Sequence, residues 1–181
     1  MKKLKNLQNL LRTDANKNYI RGMKYLTHDE ELEQEAYDHG IIILEKYNFK
    51  SPRIKGLYSN NVIALSKSIK SKKEKACILA EELSHHYITV GDITDETIEA
   101  NRKQEYKARL LSYDKKVGLT GIIKAYENGC LNIFEMAEYL DVTESFLQET
   151  LKSYKSKYGE YIKIDNYIVY FEPNIGVFKF I

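Results

Sequence analysis

The 181-residue sequence has two cysteines, no tryptophan, no long apolar run and almost no excess charge of either sign. Cys77 and Cys130 are far apart and show no CxxC spacing, which excludes a disulfide framework and a thiolate zinc knuckle and leaves reduced packing cysteines. No segment approaches the roughly 18 consecutive apolar residues that span a bilayer. The beginning, MKKLKNLQNLLRTDANK, lacks the apolar core and small-residue cleavage site of a signal peptide, so a cytoplasmic protein with no membrane partner is expected. A net charge of +2 is too small to imply a nucleic-acid partner, although residues 1–24 are locally basic through Lys2, Lys3, Lys5, Arg12, Lys17, Arg21 and Lys24.

With 43% hydrophobic and 30% charged residues, the chain suits one globular unit, or two small ones sharing a core. Residues 1–26 carry an amphipathic patch at Leu4, Leu7, Leu10 and Leu11 and form an extension whose role the sequence leaves open. The capping box THDE, with Thr27 as cap and Glu30 reaching back, starts a helix that Gly40 stops near His39. Strand-like runs follow at 41–47, 53–58 and 62–67, the last two joined by a hairpin turn at Ser59, Asn60 and Asn61. A helix from about Lys73 to Ile88, the turn TVGD and a helix from Asp95 to about Lys116 complete a first part, 27–117. The second part, 118–181, reads as three helical periods punctuated by Gly129, Asp141 and Val142. Alternating strands YIKID, YIVYFE and VFKFI close the chain, with a turn at Pro173, Asn174 and Gly176. The class is α+β: helices on a small β-sheet, then a helical module and a C-terminal β-hairpin.

The stretch CILAEELSHHYITVGD, Cys77 to Asp92, carries the chemistry. Residues i and i+4 share a helix face, so Glu81 and His85 project together and Glu82 lies beside them. That is the layout of HExxH, in which the first and fifth residues bind Zn²⁺ and the second, a glutamate, takes a proton from the water that attacks a peptide carbonyl. Here the first histidine is a glutamate, giving EELSH. The alternative register 82–86 has Leu83 where the base belongs. Carboxylate oxygen binds zinc at about the same distance as imidazole nitrogen, so Glu81 is acceptable as a ligand. The apolar turn Ala76 to Ala80 marks a buried helix, where carboxylates are costly unless paired or metal-bound. A third ligand normally comes from another helix, and QEYKARLL offers Glu105, followed by Ala108, small enough for two helices to approach. Taken alone, Glu105 is equally a solvated glutamate on an amphipathic helix.

Together, KGLYSNNVIAL, CILAEELSHHYITVGD, RKQEYKARLLSYD and AYENGCLNIFEMAEYLDVTESFLQETLKSYKSKYG resemble the ImmA/IrrE family of metallo-endopeptidases over about residues 28–160. The resemblance implies a zincin-like, gluzincin-type fold and cleavage of a helix-turn-helix transcriptional repressor of a prophage or mobile element. By position, it implies Glu81 and His85 as the first two metal ligands, Glu105 as the third and Glu82 as the general base. Replacing imidazole with carboxylate lowers the formal charge of metal plus ligands from +1 to 0, which weakens preference for zinc over oxygen-loving ions such as Mn²⁺. A catalytically weak protein that controls a repressor by docking is the alternative. His86 reads either as a residue that supports the site from behind its ligands or assists an oxyanion, or as a packing residue; at i+5 from Glu81 it points about 140° away, which favours packing. The strand VIALS is either an edge to which a substrate strand adds or an ordinary core strand.

The segment NIFEMAEYLDVTESFLQ has helix-turn-helix punctuation, with Ala137, Leu140 and Val142 around the turn, Thr143 capping and Phe146 facing inward. Its second helix begins TESFLQETL, with Glu144 and Glu149 and no arginine. Carboxylates repel phosphates, so direct DNA binding is not expected. Tyr154, Tyr158 and Tyr161 read either as a partner-facing surface or as packing.

Overall fold

The change from helix to strand at Gly40 is where sequence pattern and fold first meet. In this computed structural model, residues 19–20, 23–24, 28–89, 98–171 and 174–180 are described; Thr27 and the leucine patch lie outside them. Helix α1 (His28–Asp38) runs to Gly40, whose φ of +66° lets the Ile41 N–H close on the Ala36 carbonyl at 2.9 Å. That left-handed position suits glycine and sends the chain directly into a strand.

Strands β1 (Tyr19–Ile20) and β2 (Met23–Lys24) form a short antiparallel pair. Strands β3 (Ile42–Tyr47), β4 (Gly56–Ser59) and β5 (Val62–Ser66) form a sheet in the order β3-β5-β4. The β4–β5 hairpin turns at Asn60 and Asn61, both left-handed at φ 49° and 59°, the geometry that matches strand twist in a two-residue turn. β3 pairs with β5 in parallel, so VIALS is the central strand, with Ile63 to Ser66 all buried. The edge reading of VIALS is thereby corrected: among the described residues β4, not β5, is an edge strand. A hairpin pattern alone cannot say which of its two strands a third will join.

Ser71 caps α2 (Lys72–Ile88) by accepting the Glu74 N–H, and Ala76 to Ala80 are buried throughout. α3 (Glu99–Lys116) packs beside it; the expected helix start at Asp95 and the turn after Thr89 lie outside the described residues. Then follow α4 (Gly118–Glu127), α5 (Ile133–Tyr139) and α6 (Glu144–Tyr158). β6 (Tyr161–Ile164), β7 (Tyr167–Tyr170) and β8 (Gly176–Lys179) make a three-stranded antiparallel sheet, one strand more than a hairpin. The fold is mixed α+β, as the pattern implied. No helix among the described residues is long and apolar enough to cross a membrane.

Two cores result. Leu32, Ile63, Leu65, Leu79 and Leu83 bind α1 and the first sheet to α2. Tyr113, Ile122, Met136, Leu147, Tyr154 and Val169 unite the end of α3 with the second part. α2 serves both, because Cys77 belongs to the second core while Ala76, Ile78 and Leu79 belong to the first. Both cysteines are free and buried. In α6, Thr143 accepts the Phe146 N–H at 3.2 Å, and Ala137, Val142 and Phe146 are buried. Tyr154 is fully buried and donates to Asp114 Oδ1 at 2.6 Å, so it packs, whereas Tyr161 is exposed.

Candidate functional site

The motif helix divides its polar residues between two neighbours. Residues four apart on α2 differ by about 40° in direction, so Glu81 and His85 form one row and Ile78, Glu82 and His86 the next. The first row meets α3: the Nε2 of His85 is 3.5 Å from Glu105 Oε2. The second row lies under β4. A Cβ built on Gly56 would fall 2.6 Å from Ile78 Cγ2 and 2.8 Å from Glu82 Cγ, so only glycine lets the strand rest this closely on the helix.

His85 is oriented from its other nitrogen, Nδ1, which is 3.1 Å from Thr89 Oγ1. Glu105 is oriented from its other oxygen, Oε1, which accepts from Arg109 Nε at 2.7 Å. Both remaining atoms, Nε2 and Oε2, face each other. Burial lowers the basicity of the His85 imidazole, against the opposing pull of Glu105, and Arg109 lowers it further. The ring is therefore held toward its neutral, ligand-competent form.

Glu81 and Glu82 sit at the bottom of the site. Desolvation, the largest influence on both, raises Glu81 to about 7, with Arg109 opposing and Glu149 and Glu105 adding. Desolvation and the adjacent Glu81 raise Glu82 to about 8, while a hydrogen bond from the Tyr58 backbone N–H opposes. Two adjacent, largely desolvated carboxylates favour a proton or a cation.

Two donors ~2.1 Å from a tetrahedral zinc stand ~3.4 Å apart, which the 3.5 Å between His85 and Glu105 matches. Glu81 is not drawn into that pair: among the described residues, no three His, Cys, Asp or Glu side chains converge closely enough to hold a metal ion. His85 and Glu105 are thus spaced as two metal donors would be, while Glu81, one turn earlier on the same helix face, stands outside the pair.

These residues open into a cleft of about 730 Å³ whose walls also include Arg53 and Lys55 before β4 and Thr143, Ser145, Phe146 and Glu149 of the α6 start. The start of α6 therefore faces the candidate site. Sequence reasoning missed Arg109, Thr89, Glu149, Tyr58 and Gly56. Arg109 and Thr89 were legible as i+4 partners of Glu105 and His85; the other three come from distant elements and carried no local signal. No family model matches the chain, and no curated protein or solved structure gives a significant match.

Proposed function

We propose that the protein is a metal-dependent endopeptidase of the ImmA/IrrE type that cleaves a helix-turn-helix repressor, with Glu81, His85 and Glu105 as ligands of Zn²⁺ or Mn²⁺ and Glu82 as general base. The observation that carries this reading is the approach of His85 Nε2 to Glu105 Oε2, each oriented from its other polar atom by Thr89 or Arg109. When bound, the metal supplies Lewis acidity that polarises a peptide carbonyl and makes water nucleophilic. Glu82, ionised once a cation sits beside it, takes the proton of the attacking water and delivers it to the leaving amine. Arg109 restores next to Glu105 and Glu81 the unit of positive charge that the carboxylate at position 81 removes. The β4 edge, beside Glu82, receives an extended substrate through the outward-turned Gly56 backbone and Tyr58 carbonyl, and the cleft wall from α6 contacts its side chains.

A second reading rests on Arg109. Its guanidinium on Glu105 supplies a cation without any metal, which suits a protein that regulates a repressor by docking alone. Co-expression with a helix-turn-helix repressor separates the two. Under the enzymatic reading the native protein cuts the repressor and Glu82→Gln leaves it intact while binding the same amount of metal. Equal loss of repression by native and Glu82→Gln proteins, with the repressor uncut, establishes docking.

A further inference from the structure

We propose that His86 is a positioning residue: acting through Tyr58, it clamps the edge strand β4 to the motif helix and so fixes where the Glu82 carboxylate stands. Measured from Glu81, His86 points away from the metal-facing row. Measured from Glu82, it is one turn on along the same face, and the row Ile78, Glu82, His86 follows β4 from Gly56 to Tyr58.

Each step along that row has its own contact. Ile78 and Glu82 fill the space that a side chain at Gly56 would need. The Glu82 carboxylate lies against Gly56, next to Tyr58, whose backbone N–H favours its ionised form. The Tyr58 hydroxyl is 2.8 Å from His86 Nδ1 and donates to Asn61 Oδ1 at 3.0 Å, in the β4–β5 turn. With its proton directed to Asn61, the phenol oxygen accepts from the Nδ1–H tautomer of His86. The His86 ring is itself held edge-on by Tyr58, His39 and Tyr87, with centroids 5.5, 5.5 and 5.1 Å away.

Strand geometry explains why Tyr58 is the residue to hold. Ser66 donates to the Lys55 carbonyl at 2.8 Å, which fixes the alternation: Lys55, Leu57 and Ser59 turn their backbone groups toward β5, and Gly56 and Tyr58 turn theirs outward. Among the described strands the Tyr58 N–H has no ladder partner, and its influence falls on the Glu82 carboxylate. Its side chain, on the inner face of the sheet, meets His86. Tyr58 thus bonds to the helix through its hydroxyl at His86 and sets its outward N–H on the side of Glu82. Ring packing alone would use neither polar atom.

The consequence for catalysis rests on the peptidase reading; the clamp itself is read without substrate. In the full-length protein, amide exchange followed by NMR should show the Tyr58 N–H protected although it faces away from β5. Tyr58→Phe and His86→Leu should each speed its exchange at least tenfold, leaving the Ser66 ladder amide unchanged. His86→Asn, whose amide presents a donor or an acceptor where Nδ1 stands, should restore the protection. A Tyr58 amide that exchanges freely in the native protein, or equal exchange in the Leu and Asn variants, overturns the proposal. Tyr58→Phe keeps the ring and serves where His86→Leu does not fold. A native protein that shows the protected amide and cleaves no repressor refutes the peptidase reading and leaves the clamp standing.

Discussion

His85 Nε2 and Glu105 Oε2 lie 3.5 Å apart across two helices, the spacing of two corners of a zinc tetrahedron. Removing one corner should show in metal affinity. Glu105→Ala is expected to weaken zinc binding by more than ~10²-fold, beyond the 10- to 100-fold typical of residues that only orient ligands. Arg109→Gln, which leaves Glu105 in place, should cost ~10-fold or less on that scale. Competition against a chromogenic chelator measures both; native affinity in Glu105→Ala contradicts the assignment.

Metal should reverse the pH dependence of stability. Glu81 and Glu82 are raised to about 7 and about 8, mainly by desolvation, so between pH 4.5 and 8 the folded chain holds protons that the unfolded chain has released. Stability of the chelator-treated protein therefore falls as pH rises through that window and levels off above it. With zinc present, binding requires the deprotonated carboxylates, and stability should rise over the same range. Thermal melts from pH 5 to 8.5, with EDTA and with zinc, read the two slopes; identical slopes contradict a metal held by these groups.

Gly56→Ala tests the contact between strand and helix. The added methyl enters space held by Ile78 and Glu82, so a loss of ~1–3 kcal/mol in stability is expected, as for overpacked cores. Glu82 should be displaced as well, giving a loss of repressor cleavage larger than the fraction unfolded accounts for. Denaturant titration and cleavage assay on the same preparation check both.

DNA binding should be absent. Thr143, Ser145, Phe146 and Glu149, in the first turns of α6 where a recognition helix would read bases, line the cleft beside α2, and Glu144 adds a second carboxylate there. No mobility shift is expected with operator-like duplexes at ~50 mM salt, where phosphate contacts are strongest. A salt-sensitive shift contradicts this.

Local chemistry made most elements legible. Gly40 ended α1, the two asparagines turned the β4–β5 hairpin, Thr143 capped its helix, and Ala76 to Ala80 betrayed a buried helix. The parallel return of β3 to β5 was not legible, because it depends on how α1 packs on α2 and leaves no trace in the strands themselves. Within the site, Glu81, Glu82 and His85 followed from helical spacing on one element. Glu105 needed a second helix, and its approach to His85 came from packing around Ala108, which is fully buried. His86 packs as expected, against Tyr58, His39 and Tyr87, but its bond to Tyr58 was not legible from a direction measured from Glu81, because its partner row begins at Ile78 and passes through Glu82.

The central claim is most directly tested by anomalous scattering from zinc-soaked crystals, recorded on both sides of the zinc absorption edge. The account predicts one peak ~2.1 Å from His85 Nε2 and Glu105 Oε2, with a Glu81 oxygen turned to the same point. Crystals at full zinc exposure that show no peak there, with Arg109 still the cation on Glu105, would contradict it.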